Sequence, residues 1–175
     1  MRALLLGRFN PPHNGHVKAI EYVLNQKDID EIIILVGSGE KAYSTKNPFT
    51  GGERVEMLKE IIMHHFDYNK FYLMAIPDAN RNTIWPAHVI DLVPSFDVIY
   101  TNNPLVKELF NNLTTKEVRP LPLFEREKYS SSKIRKMMME GKPWENLVPS
   151  IILPLIKKYN GVKRIQALTQ SDEKS

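Results

Sequence analysis

Two histidines, His13 and His16, stand three positions apart on either side of Gly15 in the stretch GRFNPPHNGH. Arg8 lies just upstream, and an apolar run, Ala3-Leu4-Leu5-Leu6, leads into the stretch through Gly7. A helical apolar pattern starts directly after it, so the histidines fall at a strand-to-helix turn. A helix N-terminus carries roughly half a positive charge and several unpaired N–H groups. His16 in the first turn, His13 just before it and Arg8 beside them suit a bound phosphate, and Gly15 lets a ligand approach the backbone. A metal pair is the other reading, but no third His, Cys or carboxylate lies close in sequence. The stretch lacks the GxxxxGK[ST] of a Walker loop and the GxGxxG of a dinucleotide fingerprint, and Gly37-Ser38-Gly39 alone is too short a signal to count.

A second candidate lies far downstream, YSSSKIRKMM. Ser130, Ser131 and Ser132 open a helical pattern, where hydroxyls and free N–H groups meet phosphate oxygens. Arg135, on the same first turn, is a fork suited to the same oxygens. Two such helix starts could grip one triphosphate from two sides.

These groups need a frame. Arg2–Leu6, Ile32–Val36, Phe71–Ile76 and Phe96–Tyr100 read as strands, with a weaker fifth near Val118. They are continuous apolar runs, which indicates a parallel sheet covered on both faces. Helical patterns fall between them: about Asn14 to Leu24, from Thr50, Ile84–Val93, and Pro104 through Phe110. Thr50 with Glu53 is a capping box, with Val55, Leu58, Ile61 and Ile62 on the inner face. Pro86 fits only the first turn of its helix. Ser130–Glu140 is helical and closed by Gly141. Pro149–Tyr159, which Pro154 should bend or interrupt, and Val162–Leu168 complete the chain. The expected architecture is a doubly wound, Rossmann-like α/β sheet of about five strands, helices on both faces, and a small helical C-terminal part. Residues 1–168 read as one domain, with C-terminal helices from about 146 and a disordered tail at 169–175. In such sheets ligands bind outside the carboxyl ends of the strands, where the strand order switches.

The chain has 175 residues, 42% hydrophobic and 25% charged, enough for one ordinary core. It has no cysteine, which excludes disulfides and thiolate metal sites and fits a reducing compartment. No apolar run approaches the roughly 20 residues of a membrane helix, so a cytoplasmic protein without a membrane partner is expected. The net charge of +4 points to an anionic partner. Lys and Arg are scattered, with only short groups such as Lys133-Arg135-Lys136 and Lys157-Lys158. That favours a small phosphate-rich ligand over nucleic acid.

HNGH is similar to the HxGH signature of the nucleotidyltransferase superfamily. GRFNPPHNGH as a whole resembles the opening of archaeal-type nicotinamide-mononucleotide adenylyltransferases, and YSSSKIRKMM resembles that family's second, serine-and-arginine element. NPFTGGER, NRNTIW and NNPLV resemble it too, in the same order, so the likeness runs from Leu4 to about Leu168. It implies transfer of AMP from ATP to nicotinamide mononucleotide, giving NAD and pyrophosphate. It places ATP on Gly7, Arg8, Phe9, His13, Gly15, His16, Ser130, Ser132 and Arg135, with His16, His13 and Arg135 catalytic. It places the mononucleotide on Lys46, Asn82 and Trp85, with the Trp85 ring stacked on nicotinamide. Mg²⁺ is expected with ATP, held by phosphates and water rather than by a protein metal site. A homo-oligomer is also implied. Three positions depart from the pattern: Lys46, where arginine is more usual, and Asn10 and Ser131, where glutamine and glycine are commonest.

Several residues have plainer readings. Trp85 also suits core packing, Phe9 a cap on the first strand, and Arg54 reads as structural, paired with Glu53 or a neighbouring helix. Ile134, Met137 and Met138 read as core, and His64, His65 and His88 as structural or exposed. Rival functions are a sister transferase acting on FMN, phosphopantetheine or a polyol phosphate, an RNA-binding protein or synthetase relic, and a nucleotide sensor without turnover.

Overall fold

The computed structural model describes residues 1–125 and 127–172, the last two by backbone alone. In chain order the elements are β1 (Arg2–Gly7), α1 (Asn14–Leu24), β2 (Glu31–Val36), α2 (Gly51–His65), β3 (Phe71–Ala75), α3 (Trp85–Leu92), β4 (Val98–Tyr100), α4 (Pro104–Leu113), β5 (Glu117–Arg119), α5 (Ser131–Met139), α6 (Leu153–Lys158) and α7 (Gly161–Asp172). The strands form one sheet in the order β3-β2-β1-β4-β5. Every pairing is parallel. The chain winds outward from β1 to β3, then returns to place β4 on the other side of β1. The switch in order therefore lies between β1 and β4, and a crevice opens at their carboxyl ends.

Strand side chains alternate between two cores. Ala3, Leu5, Ile32, Ile34, Val98 and Tyr100 face Ile20 and Val23 of α1 and Leu58 and Ile62 of α2. Leu4, Ile33, Leu35 and Ile99 face Val89 of α3 and Val106 and Phe110 of α4. A third cluster lies off the sheet, where Met57 and Ile61 of α2 meet Ile134 and Met138 of α5, Ile156 of α6 and Ile165 of α7. The capping box of α2 is present: Thr50 Oγ1 accepts from the Glu53 N–H at 3.1 Å, and Glu53 Oε2 accepts from the Thr50 N–H at 2.9 Å. Gly141 closes α5 at φ +66°, in the left-handed region.

Three boundaries differ from the sequence reading. Residues Asn82–Ile84 form a 3₁₀ turn, so α3 starts at Trp85 with Pro86 in its first turn. Pro154 interrupts its stretch rather than bending it: Ser150–Ile152 is 3₁₀, and α6 starts at Leu153 with Pro154 in its first turn. Its missing N–H is among those left unpaired at a helix start in any case. Helix α7 continues to Asp172, through the first residues of the stretch read as a disordered tail. Arg164 anchors this helix by pairing with Glu53 at 2.7 Å and donating to the Pro48 carbonyl at 3.0 Å. Residues 173–175 of that stretch lie outside the described residues.

Candidate active site

The turn after β1 is built tightly. Phe9 is buried at φ 49°, its ring against Gly7 and tilted over His16 with centroids 4.7 Å apart. Asn10 is buried and pairs with the Phe49 backbone in both directions, at 3.1 and 3.3 Å. His13 is the N-cap of α1, and its ring stacks on His16 at 3.6 Å. The His13 N–H donates to Nδ1 of His16 at 3.0 Å. A neutral His16 therefore carries its proton on Nε2, leaving that N–H as a donor. Burial pushes His13 down to about 4, and burial together with His13 holds His16 well below the usual histidine range. Both rings are neutral at pH 7. A side chain on Gly15 would place Cβ 2.9 Å from Cβ of Tyr129, whose ring lies over the far face of His13 at 6.5 Å.

Helix α5 is fastened to this turn. Ser131 Oγ donates to the Pro11 carbonyl at 2.9 Å, so serine here makes a strut that glycine would lack. Arg135 is buried and donates to Asn10 O at 2.8 Å, Thr45 O at 3.1 Å and Ser132 Oγ at 3.2 Å. Three of its five N–H groups are used in this way, so two remain for a ligand. Burial, aided by the nearby Arg8, pushes its guanidinium down to about 10, still cationic at pH 7. Ser130 is the N-cap of α5, without a side-chain capping bond.

Two cavities open at the carboxyl ends of the strands. The first, about 800 Å³, brings together Arg8, Phe9, His13, Gly15, His16, Ser130, Ser132 and Arg135. The second, about 500 Å³, brings together Gly7, Asn82 and Trp85. They adjoin, sharing Leu6, Arg8 and Asn103 at the β1–β4 switch. Trp85 also packs edge-on against Phe110 at 5.7 Å, so it serves core and cavity together.

Lys46 lines neither cavity and is exposed. Backbone bonds between Ser44 and Asn47, at 3.0 and 3.3 Å, close a turn at that point. The lysine that lines the second cavity, beside Arg8, is instead Lys41, paired with Asp78 at 2.6 Å. Burial would raise the Asp78 carboxyl, but hydrogen bonds from Lys41 and Ser38 hold it below its usual range. Arg54 is structural as read, though its partners are backbone carbonyls; Glu53 pairs with Arg164. His88 is held by the Pro77 carbonyl at 3.1 Å. Sequence reasoning passed over Lys41 and Asp78, which carry no local pattern; Ser38 and Asn102 lay in the quoted Gly37-Ser38-Gly39 and NNPLV stretches without being assigned to the site. Asn103 did carry one, an N-cap followed by proline, and its Oδ1 accepts from the Leu105 N–H at 3.0 Å.

A cytidylyltransferase-like family profile matches residues 4–137. The chain is 44% identical over 174 residues to a nicotinamide-nucleotide adenylyltransferase of Thermococcus onnurineus, covering 99% of this chain and 91% of that one. It is 42% identical over 172 residues to a protein of the same name from Thermoplasma acidophilum, covering 98% and 94%. Among solved structures, a bifunctional NMN adenylyltransferase/ADP ribose pyrophosphatase from Francisella tularensis, complexed with AMP and a manganese ion, superposes with TM-score 0.78 at 16% identity, over 98% of this chain and 52% of that one. A nicotinic acid mononucleotide adenylyltransferase from Plasmodium falciparum gives 0.65 at 14% identity, over 93% and 96%. At these identities the two structures show a shared fold. The full-length likeness to the archaeal proteins shows more: the chain belongs to the nicotinamide-nucleotide adenylyltransferase family of nucleotidyltransferases.

Proposed function

We propose that this enzyme transfers AMP from ATP to the 5′-phosphate of nicotinamide mononucleotide by direct in-line displacement. The observation that carries the reading is the pair of adjoining cavities that meet at Arg8 and Asn103. ATP occupies the larger one, its phosphates between the starts of α1 and α5. The mononucleotide occupies the smaller one, with its base against Trp85 and Asn82.

The attacking group is a phosphate oxygen, already anionic at pH 7, so the step needs no general base. It forms a bond to the α-phosphorus as the bond to the bridging oxygen of the β-phosphate breaks, and pyrophosphate leaves with the electron pair. No covalent enzyme intermediate is involved. Orientation of two bound reactants supplies on the order of 7–11 kcal/mol. The remaining stabilisation comes from fixed donors. His16 presents its Nε2–H to the α-phosphate, while His13 and Arg8 serve the phosphate chain. Ser130, Ser132 and the two spare N–H groups of Arg135 meet the β- and γ-phosphates.

The first cavity is lined by no carboxylate, and the described residues hold no group of three or more His, Cys, Asp or Glu that could cage a metal ion. In this proposal Mg²⁺ enters with ATP, on phosphate oxygens and water. Among the described residues no helix is long and apolar enough to cross a membrane, in keeping with a cytoplasmic enzyme. A homo-oligomer is part of the proposal. The exposed Ile84, Ile90 and Leu92 around α3 are candidates for its contact, and sedimentation velocity tests it.

The decisive experiment mixes protein, ATP and Mg²⁺ with nicotinamide mononucleotide and, in separate tubes, with nicotinate mononucleotide, FMN and phosphopantetheine. Pyrophosphate release with NAD in the first tube is the expected result. Pyrophosphate only with FMN or phosphopantetheine would overturn the acceptor.

A further inference from the structure

We propose that Arg54 is a positioning residue for the mononucleotide half of the site, shaping the second cavity from beneath through the backbone it holds. The proposal rests on the reading that this cavity takes nicotinamide mononucleotide.

Arg54 is fully buried, at 0% exposure. Its Nε donates to Thr50 O at 3.1 Å. Nη1 donates to Arg8 O at 2.9 Å and Gly37 O at 3.0 Å. Nη2 donates to Ser38 O at 2.9 Å and Lys41 O at 3.3 Å. Five N–H groups thus meet five carbonyls, a number that only a guanidinium matches; lysine offers three donors. Apart from Thr50, every residue whose carbonyl is held lines the second cavity: Arg8, Gly37, Ser38 and Lys41. Only Arg8 also lines the first.

A buried cation without a carboxylate in contact is a costly way to fill space. Among the described residues Arg54 makes no ion pair, and its neighbour Glu53 is taken by Arg164. What the guanidinium achieves is to fix peptide planes where three chain segments converge: the end of β1, the end of β2 and the start of α2. Ser38 is held there at φ 51°, a left-handed conformation that a residue with a side chain keeps only under constraint. Ser38 and Lys41 together hold Asp78. Without Arg54, the carbonyls of Arg8, Gly37 and Lys41 lose this donor and turn toward water, and that of Ser38 keeps only the Lys41 N–H. Ser38 relaxes, and the Lys41–Asp78 pair moves with it. The wall that receives the mononucleotide is then misplaced, while α1 and α5 stay where they are.

The test compares Arg54→Ala and Arg54→Lys with the natural enzyme in KM for each substrate, kcat, and equilibrium binding of nicotinamide mononucleotide followed by tryptophan fluorescence. Arg54→Ala is expected to raise KM and Kd for the mononucleotide about tenfold or more, with KM for ATP changed by less than about threefold. Arg54→Lys is expected to fall between the two. Guanidinium at low millimolar concentration should recover mononucleotide binding in Arg54→Ala and leave the natural enzyme unaffected. A purely structural arginine predicts a lower Tm with both KM values unchanged, and that result, or an equal rise for both substrates, overturns the proposal. Should Arg54→Ala fail to fold, Arg54→Lys carries the same comparison. A natural enzyme that neither makes NAD nor binds the mononucleotide overturns the functional reading and this one together. Normal activity with unchanged variants overturns this one alone.

Discussion

His13 links the chemistry of the site to the stability of the fold, and the link has a calculable pH dependence. Burial holds it at about 4 in the folded protein, whereas an exposed histidine in the unfolded chain titrates near 6.5. Between these values the unfolded chain binds more protons, so stability rises with pH through this window and is fully present above about 6.5. At pH 5 the loss attributable to His13 is about 2 kcal/mol, from roughly 1.5 pKa units at 1.36 kcal/mol each. The ring is only 8% exposed, so solvent screening discounts little of this. Urea unfolding of the natural protein and of His13→Gln at pH 7 and pH 5 isolates the effect. His16 titrates in both proteins and largely cancels, while glutamine cannot titrate. The natural protein should lose about 2 kcal/mol more than the variant on going to pH 5. Equal losses in the two would refute the claim that His13 is buried and neutral.

Other expectations follow from single contacts. His16→Ala should lower kcat by roughly 10²–10³-fold, the scale for one transition-state donor; a drop below about threefold would remove His16 from that role. Trp85→Leu should raise KM for the mononucleotide well above that for ATP and, through the lost edge contact with Phe110, destabilise by about 1–3 kcal/mol in urea. Gly15→Ala forces Cβ against Tyr129 at 2.9 Å and should cost about 1–3 kcal/mol while weakening ATP binding, read by calorimetry. Arg164→Ala leaves Glu53 unpaired where both side chains are 15% exposed, and about 3 kcal/mol of destabilisation is expected. The Arg164→Ala, Glu53→Gln double cycle should recover part of it.

The sheet was legible because its central strands β1, β2 and β4 are buried on both faces and read as uninterrupted apolar runs, whereas β5, a partly exposed edge, carried only a weak signal. The helix starts were legible where a side chain does the capping, as at Thr50. The residues of HNGH and SSSKIR that line the first cavity could be picked out because each is a local motif at a helix start. What lay beyond reach depends on tertiary folding. Lys46 and Lys41 sit in one polar loop, and the Ser44–Asn47 turn decides which of them reaches the cavity. Asp78 enters through the loop after β3, with no pattern around it. Arg54 has an ordinary helical position, and its meaning comes from carbonyls up to 46 positions away.

The two helix starts proposed to grip the nucleotide stand on different foundations. Helix α1 belongs to a core shared with the sheet, whereas α5 belongs to the off-sheet cluster with α6 and α7. At the site they are joined by the Ser131–Pro11 and Arg135–Asn10 hydrogen bonds, by the stacked Tyr129 and His13 rings, and by Val17 of α1 packed on the off-sheet cluster. In native-state hydrogen exchange the C-terminal cluster should therefore open as its own cooperative unit, at a lower free energy than the sheet. A nucleotide clamped across the seam must be released for that opening. Saturating ATP would then slow exchange most in α5 to α7, and α6 and α7 would report occupancy of a site whose lining comes from other elements.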